Sequence, residues 1–138
     1  MKSVYVAASS DEQNRARAAI EQLNLAGIPC TSNWIENIAL RSNGIANPRG
    51  TQPDLVVIRS EAVHGNKKAI REASILWLLV PERSPGRGGY YEAGYADALE
   101  KHLVFSGDTQ QSVFCVSGAE FADDLEAFEF IKKLVNIP

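Results

Sequence analysis

The residue best placed to do chemistry is a glutamate, Glu92, in the run Gly88-Gly89-Tyr90-Tyr91-Glu92-Ala93-Gly94-Tyr95-Ala96. It falls in the first turn of a helix predicted over 89–101, behind the loop Glu82-Arg83-Ser84-Pro85-Gly86-Arg87-Gly88-Gly89. A carboxylate there complements the positive end of the helix dipole, which alone can account for an acidic residue. The residues one turn on, Tyr95, Ala96 and Leu99, form an apolar face, and that turns Glu92 toward a sheet rather than water. Ala93, Gly94 and Ala96 are small enough for close packing of helix on sheet or subunit on subunit. A carboxylate held in that position, beside a glycine loop, is placed to act as a nucleophile on a small ligand.

Other groups have two readings each. Arg83 and Arg87 bracket the glycine loop, where they hold a 5′-phosphate or other anion with the helix-start N–H groups, or are solvated loop arginines. Ser9 and Ser10 touch a phosphate or cap a helix. Trp34 stacks on a base or packs in the core, Trp77 is core, and Tyr5 by itself is a strand aromatic. His64 and His102 are isolated, and Cys30 and Cys115 lack CxxC or Cys/His spacing. The expectation is therefore no metal and no cofactor, with two buried free thiols in a reducing cytosol.

The elements that position these groups read as follows. A chain of 138 residues fits one domain, 1–138, of ordinary globular composition. Its net charge of −3 leaves no footprint for nucleic acid or an anionic membrane, and no apolar run spans a bilayer. The opening MKSVYVAASS reads as a first strand rather than a signal sequence. An amphipathic helix follows over 11–25, ended by Gly27, and then a second strand over 28–35. Residues 36–52 form a lid or binding loop, or hold a short helix. Helix is favoured for 65–72, with 54–60 open between strand and helix. The run 74–81 is a buried parallel strand, and 102–107 is another. Residues 108–116 are a short helix or strand, 119–122 an edge strand. The last helix starts at Asp123 or Asp124 with Leu125, Phe128, Ile131 and Leu134 on one stripe. Alternating β and α elements give a doubly wound α/β sandwich, whose ligands bind beyond the carboxyl ends of the strands. Tyr5, Trp34, the glycine loop and Glu92 then share one neighbourhood.

Tyr5 in VYVAAS, then Gly88, Glu92, Gly94, Tyr95, Ala96 and Lys101, resemble the nucleoside 2-deoxyribosyltransferase family and the related 2′-deoxynucleoside 5′-phosphate N-hydrolases. The likeness spans roughly residues 3–9 and 62–134, with its specific part in the Glu92 block. It implies a flavodoxin-like three-layer sandwich with a central parallel sheet of about five strands, and a cytoplasmic homo-oligomer (dimer or higher) with sites near subunit contacts. It implies that Glu92 attacks C1′ of the sugar and expels the base, by the logic of a retaining glycosidase, while Tyr5 orients the carboxylate. Transfer follows with a second base as acceptor, hydrolysis with water. The binding residues it implies are Ala7, Ser9, Trp34, Asn66, Gly86, Arg87, Gly88 and Gly89, and 108–112 reaches toward a neighbouring subunit.

The chain departs from that pattern where the family carries two acids. Asn66 and Ser74 stand there, and an amide donates no titratable proton. Asp54, Glu61 and Glu82 are the candidate substitutes. Gly86 stands where relatives carry Asp or Ser six residues before the nucleophile. Two alternatives follow: a non-catalytic nucleotide-binding module on the same fold, or an unrelated regulatory domain in which Glu92 is a solvent-facing helix-start carboxylate.

Overall fold

The computed structural model describes residues 1–36, 53–83 and 85–138, and all of their side chains except those of 53–55. Its elements are β1 (Val4–Ala7), α1 (Gln13–Leu25), α2 (Pro53–Glu72), β2 (Ile75–Leu79), α3 (Arg87–Ala98), β3 (His102–Ser106), β4 (Ala119–Phe121) and α4 (Asp124–Leu134). The strands form one parallel sheet in the order β1-β2-β3-β4. Every residue of β1 and β2 is buried, as parallel strands covered on both faces require.

Register divides the side chains between two faces. Val6, Trp77 and Val104 are neighbours across β1, β2 and β3, and so are Tyr5, Leu76 and Leu103. The Trp77 face meets α1 and α4, where the indole N–H donates to Ser106 and Ser106 donates to Asp124. The Tyr5 face meets α3, which packs on β1, β2 and β3 and is itself flanked by α2. Gly89 makes that approach possible, since a Cβ there would stand 2.7 Å from Leu78 Cδ1.

The strand expected over 28–35 is reduced to one parallel bridge, Val4 to Cys30, so the sheet has four strands rather than about five. The cause lies in two side chains. Ser32 Oγ accepts from the Val6 N–H and donates to the Val6 carbonyl, and the Trp34 indole N–H donates to the same carbonyl at 3.0 Å. These take the groups that a continuing ladder would use, and Trp34, Ile35 and Glu36 turn helical. Residues 37–52 of the expected lid lie outside the described residues.

Three other boundaries differ from expectation. α2 runs the full length Pro53–Glu72, although Val56, Val57 and Val63 on its first half are exposed and only its last turns bury Ala69 and Ile70. Of the two alternatives for 108–116 the helical one holds, as two short 3₁₀ helices over 109–111 and 113–117 rather than one α-helix. In α4 the buried stripe is Ala127, Phe128, Ile131 and Leu134, while Leu125 in the first turn is exposed. The cap falls on Asp123, whose carboxylate accepts from the Glu126 N–H at 2.8 Å.

The end of α3 carries a strained residue. Lys101 N–H bonds Ala96 carbonyl and Glu100 takes φ 60°, which is a Schellman-type cap with glutamate where glycine is usual. Glu100→Gly relieves the left-handed strain and is expected to raise stability by ~1 kcal/mol in a denaturant titration. A loss of stability would contradict this reading of the cap.

Candidate functional site

Three elements deliver one cluster. Tyr5 stands in β1, buried to the ring, and its side chain leaves the sheet on the α3 face. Glu92 stands on α3 one helical turn after Gly89, the residue that lets the helix sit low on β2. Asn66 stands on α2. The Tyr5 hydroxyl donates to Glu92 Oε2 at 2.7 Å, and the Asn66 side chain also hydrogen-bonds the carboxylate.

The surface that turns Glu92 inward differs from the expected one. Gly89, Ala93 and Ala96 are the buried residues of α3, Leu99 is exposed, and Glu92 borders that small-residue stripe, partly buried. Small side chains do this because they bring the helix close enough for the next position to reach the strand's hydroxyl. Glu92 is therefore neither a core residue nor a solvated helix-start carboxylate.

α2 is held against α3 by contacts on their outer side. Arg71 Nη1 donates to the Tyr95 hydroxyl at 3.0 Å, and Lys67 Nζ lies 5.4 Å from the Tyr95 ring centre and 5.7 Å from that of Tyr91. Two cations of α2, Lys67 and Arg71, are thus spent on aromatics of α3, beginning one residue along from Asn66.

The electrostatics follow from burial. Desolvation lifts the Glu92 pKa from 4.5 to about 7, against the hydrogen bonds from Tyr5 and Asn66, which pull it down. Desolvation likewise holds the Tyr5 hydroxyl well above its ordinary value, with the Glu92 charge adding to it. A carboxylate poised near neutrality between two neutral donors can carry a proton or, once ionised, attack an electrophilic carbon.

The remaining predicted residues are dispersed around this cluster. Ala7 ends β1, buried. Ser9 caps a 3₁₀ turn over Ser10–Glu12, its Oγ accepting from Asp11 N–H at 3.3 Å. Trp34 is 8% exposed with its N–H committed to β1. Gly86 adopts φ 57° as the residue before α3, where a Cβ would collide with the Pro81 ring. Arg87 and Gly88 are exposed in the first turn of α3, and Arg83 is exposed before it. Gln111 braces this same loop, donating to the Pro81 carbonyl at 2.7 Å and accepting from Tyr90 at 2.9 Å. Of the candidate acids, Glu61 is exposed on α2, Glu82 faces Arg15, and the Asp54 side chain lies outside the described residues.

The residue that sequence reasoning missed is Arg15. Its guanidinium donates to the Val80 carbonyl at 2.6 Å, to the Ser106 carbonyl at 3.2 Å and to both oxygens of Asp124 at 2.8 and 2.9 Å. Glu12 pairs with it and accepts from the Glu82 N–H at 3.1 Å. One cation therefore ties the ends of β2 and β3 to α1, α4 and the start of the glycine loop. Hydrogen bonds and the opposite charge hold Asp124 below its ordinary pKa despite burial. An arginine in an amphipathic helix carries no local signal of this, because its partners come from three distant elements.

Among the described residues no group of three or more His, Cys, Asp or Glu could hold a metal, and no helix is long and apolar enough to cross a membrane. The chain matches no protein-family model and no curated protein by sequence.

Two outcomes test this geometry. Because the folded pKa of Glu92 is raised, its contribution to stability is fully present below about pH 4.5 and lost as pH rises through about 7. Glu92→Gln removes that slope, so the variant gains on the wild type by on the order of 2 kcal/mol between pH 4.5 and 8, discounted for partial exposure. Equal pH profiles from chemical denaturation would contradict the buried carboxylate. Arg15→Ala strands Asp124 and two strand-end carbonyls, and a loss of about 3 kcal/mol is expected by the same method. A change under 1 kcal/mol would show the network to be peripheral.

Proposed function

We propose that this protein cleaves or exchanges the N-glycosidic bond of a nucleoside or nucleotide, with Glu92 as the nucleophile. The observation that carries the reading is the 2.7 Å hydrogen bond from the buried Tyr5 hydroxyl to Glu92, between two residues 87 apart in sequence. Tyr5 and Asn66 fix the plane of the carboxylate, so that a lone pair is presented to the anomeric carbon from one face. As the base departs, the sugar carbon gains oxocarbenium character and the carboxylate captures it. Water or a second base then resolves the glycosyl ester.

The fold supports this placement. With the Cys30 bridge counted beyond β1, the sheet order becomes that of a flavodoxin-like sandwich, whose switch point lies between β1 and β2. The glycine loop and the Ser9–Glu12 turn leave the strands at that point. In the same reading the chain is a relative of the deoxyribosyltransferases and works in the cytoplasm as a homo-oligomer. The exposed apolar residues Val113, Phe114 and Val116 offer a surface for such contacts. Arg87 and the start of α3 would receive a 5′-phosphate.

A second reading, binding without turnover, is favoured by one observation: the α2 group beside Glu92 is an amide rather than an acid.

The test is incubation with deoxy- and ribonucleosides and their 5′-monophosphates, with and without a second free base, read by chromatography. Base release or exchange is expected, falling at least about 10³-fold in Glu92→Gln, with kcat/KM rising as pH passes about 7 because the ionised carboxylate attacks. Saturable binding of an intact ligand with no turnover of any substrate would favour the second reading.

A further inference from the structure

The structure assigns this site to N-glycosides whose base is already cationic, such as an N-alkylated purine or a pyridinium, in preference to neutral nucleosides. The assignment rests on the glycosidic reading above and on two observations about what surrounds Glu92.

The first concerns protons. Departure of a neutral purine or pyrimidine leaves an anion, so its cleavage gains about 10²- to 10⁴-fold from an acid that protonates the base. Among the described residues, the groups that act on Glu92 are a phenol and an amide. Asn66 cannot titrate, and burial pushes the Tyr5 hydroxyl up, making it a poor acid. The strands of this face add one carboxylate, Glu120, which is exposed on β4 at the sheet edge opposite β1. Beside Tyr5, β1 presents Ala7, β2 presents Leu76 and Leu78, and β3 presents Leu103 and Phe105. Cys30, whose thiol burial also pushes up, bears on Tyr5. On α3 itself the flanking ionisable groups are Arg87, Tyr91 and Tyr95, and on α2 they are Lys67 and Arg71, which face Tyr91 and Tyr95. Residues 37–52 contain no Asp, Glu, His, Cys or Tyr, so Asp54 is the one carboxylic acid whose side chain is not described.

The second concerns charge. A carboxylate drawn largely out of water is ordinarily paired with a cation, and among the described residues no cation acts on the partly buried Glu92. Of the cations described nearby, Lys67 and Arg71 are held on tyrosines, Arg15 in its own network, and Arg87 is exposed in the first turn of α3, while Arg41 and Arg49 lie outside the described residues. A positive charge on the ring nitrogen bound to the anomeric carbon would supply such a partner. It would also draw Glu92 into its ionised form as the ligand binds.

The step balances without an acid. A Glu92 oxygen forms a bond to the anomeric carbon while the carbon–nitrogen bond breaks, and its electron pair neutralises the cationic nitrogen, so the base leaves as a neutral molecule. Water then attacks the anomeric carbon, the ester bond returns its pair to Glu92, and the proton of the water passes to solvent. One proton is released per turnover.

The experiment compares guanosine 5′-monophosphate with its 7-methylated form, a matched pair that differs in the charge of the base, and adds nicotinamide mononucleotide as a pyridinium. Rates are read by chromatography from pH 5.5 to 9, each relative to its uncatalysed hydrolysis, with Glu92→Gln and Asp54→Asn alongside. The expected result is an acceleration of both cationic substrates at least about 10²-fold larger than that of the neutral one, abolished in Glu92→Gln and unchanged in Asp54→Asn. For the pyridinium substrate, whose charge does not titrate, kcat/KM should rise with pH without a descending alkaline limb, while the 7-methylated nucleotide should decline where its base loses the N1 proton. Equal acceleration of the neutral nucleotide, or a loss of activity in Asp54→Asn, would overturn the cationic assignment while leaving Glu92 as nucleophile. Turnover of none of the three would overturn the cationic assignment, and the glycosidic reading falls with it only if the deoxy- and ribonucleoside panel above is also inert.

Discussion

The site depends on one hydrogen bond made under constraint: a tyrosine hydroxyl from the innermost layer of the sheet meeting a glutamate lowered onto it by a glycine and two alanines. Each participant alone is unfavourable. A buried phenol needs a partner, and a carboxylate out of water prefers to be neutral. Together they satisfy each other, and Asn66 completes the carboxylate's shell from a third element. The near-neutral pKa of Glu92 is the residue of that compromise, with burial outweighing two donors.

The scaffold that enforces this meeting is distributed over both faces of the sheet. On the far side, Arg15 gathers strand-end carbonyls and Asp124, so that the carboxyl ends of β2 and β3 are held in register with α1 and α4. On the near side, Arg71 and Lys67 hold α2 on α3 through tyrosine rings. The glycine loop leaves β2 between these two sets of contacts, and Gln111 braces it from the 3₁₀ turn after β3. Polar contacts thus fix the loop and the helices, while the apolar sheet supplies the stability beneath them.

Much of this was legible in the sequence, and for physical reasons. The buried strands announced themselves as near-continuous apolar runs, and glycine and proline marked where the chain turns. The Tyr5–Glu92 pairing, by contrast, came from the resemblance, since no spacing rule links residues in β1 and α3. The second strand was misread because Ile28-Pro29-Cys30 looks like any β-rich run. What truncates it is Ser32 and Trp34 competing for the backbone of Val6, which is a tertiary event. α2 was ambiguous because its valines are exposed, so no apolar stripe marked its first half. Arg15 was silent for the same kind of reason: its role is set by carbonyls far away in sequence.

The most direct test of Glu92 as the nucleophile is peptide mass spectrometry after reaction with a nucleotide bearing a 2-fluoro sugar, in which breakdown of a glycosyl ester is slowed because the oxocarbenium-like transition state is destabilised. The account predicts a stoichiometric sugar adduct on the peptide that contains Glu92, at Glu92 itself, and its absence in Glu92→Gln. Release of base from the analogue with no adduct, or an adduct on another residue, would contradict it.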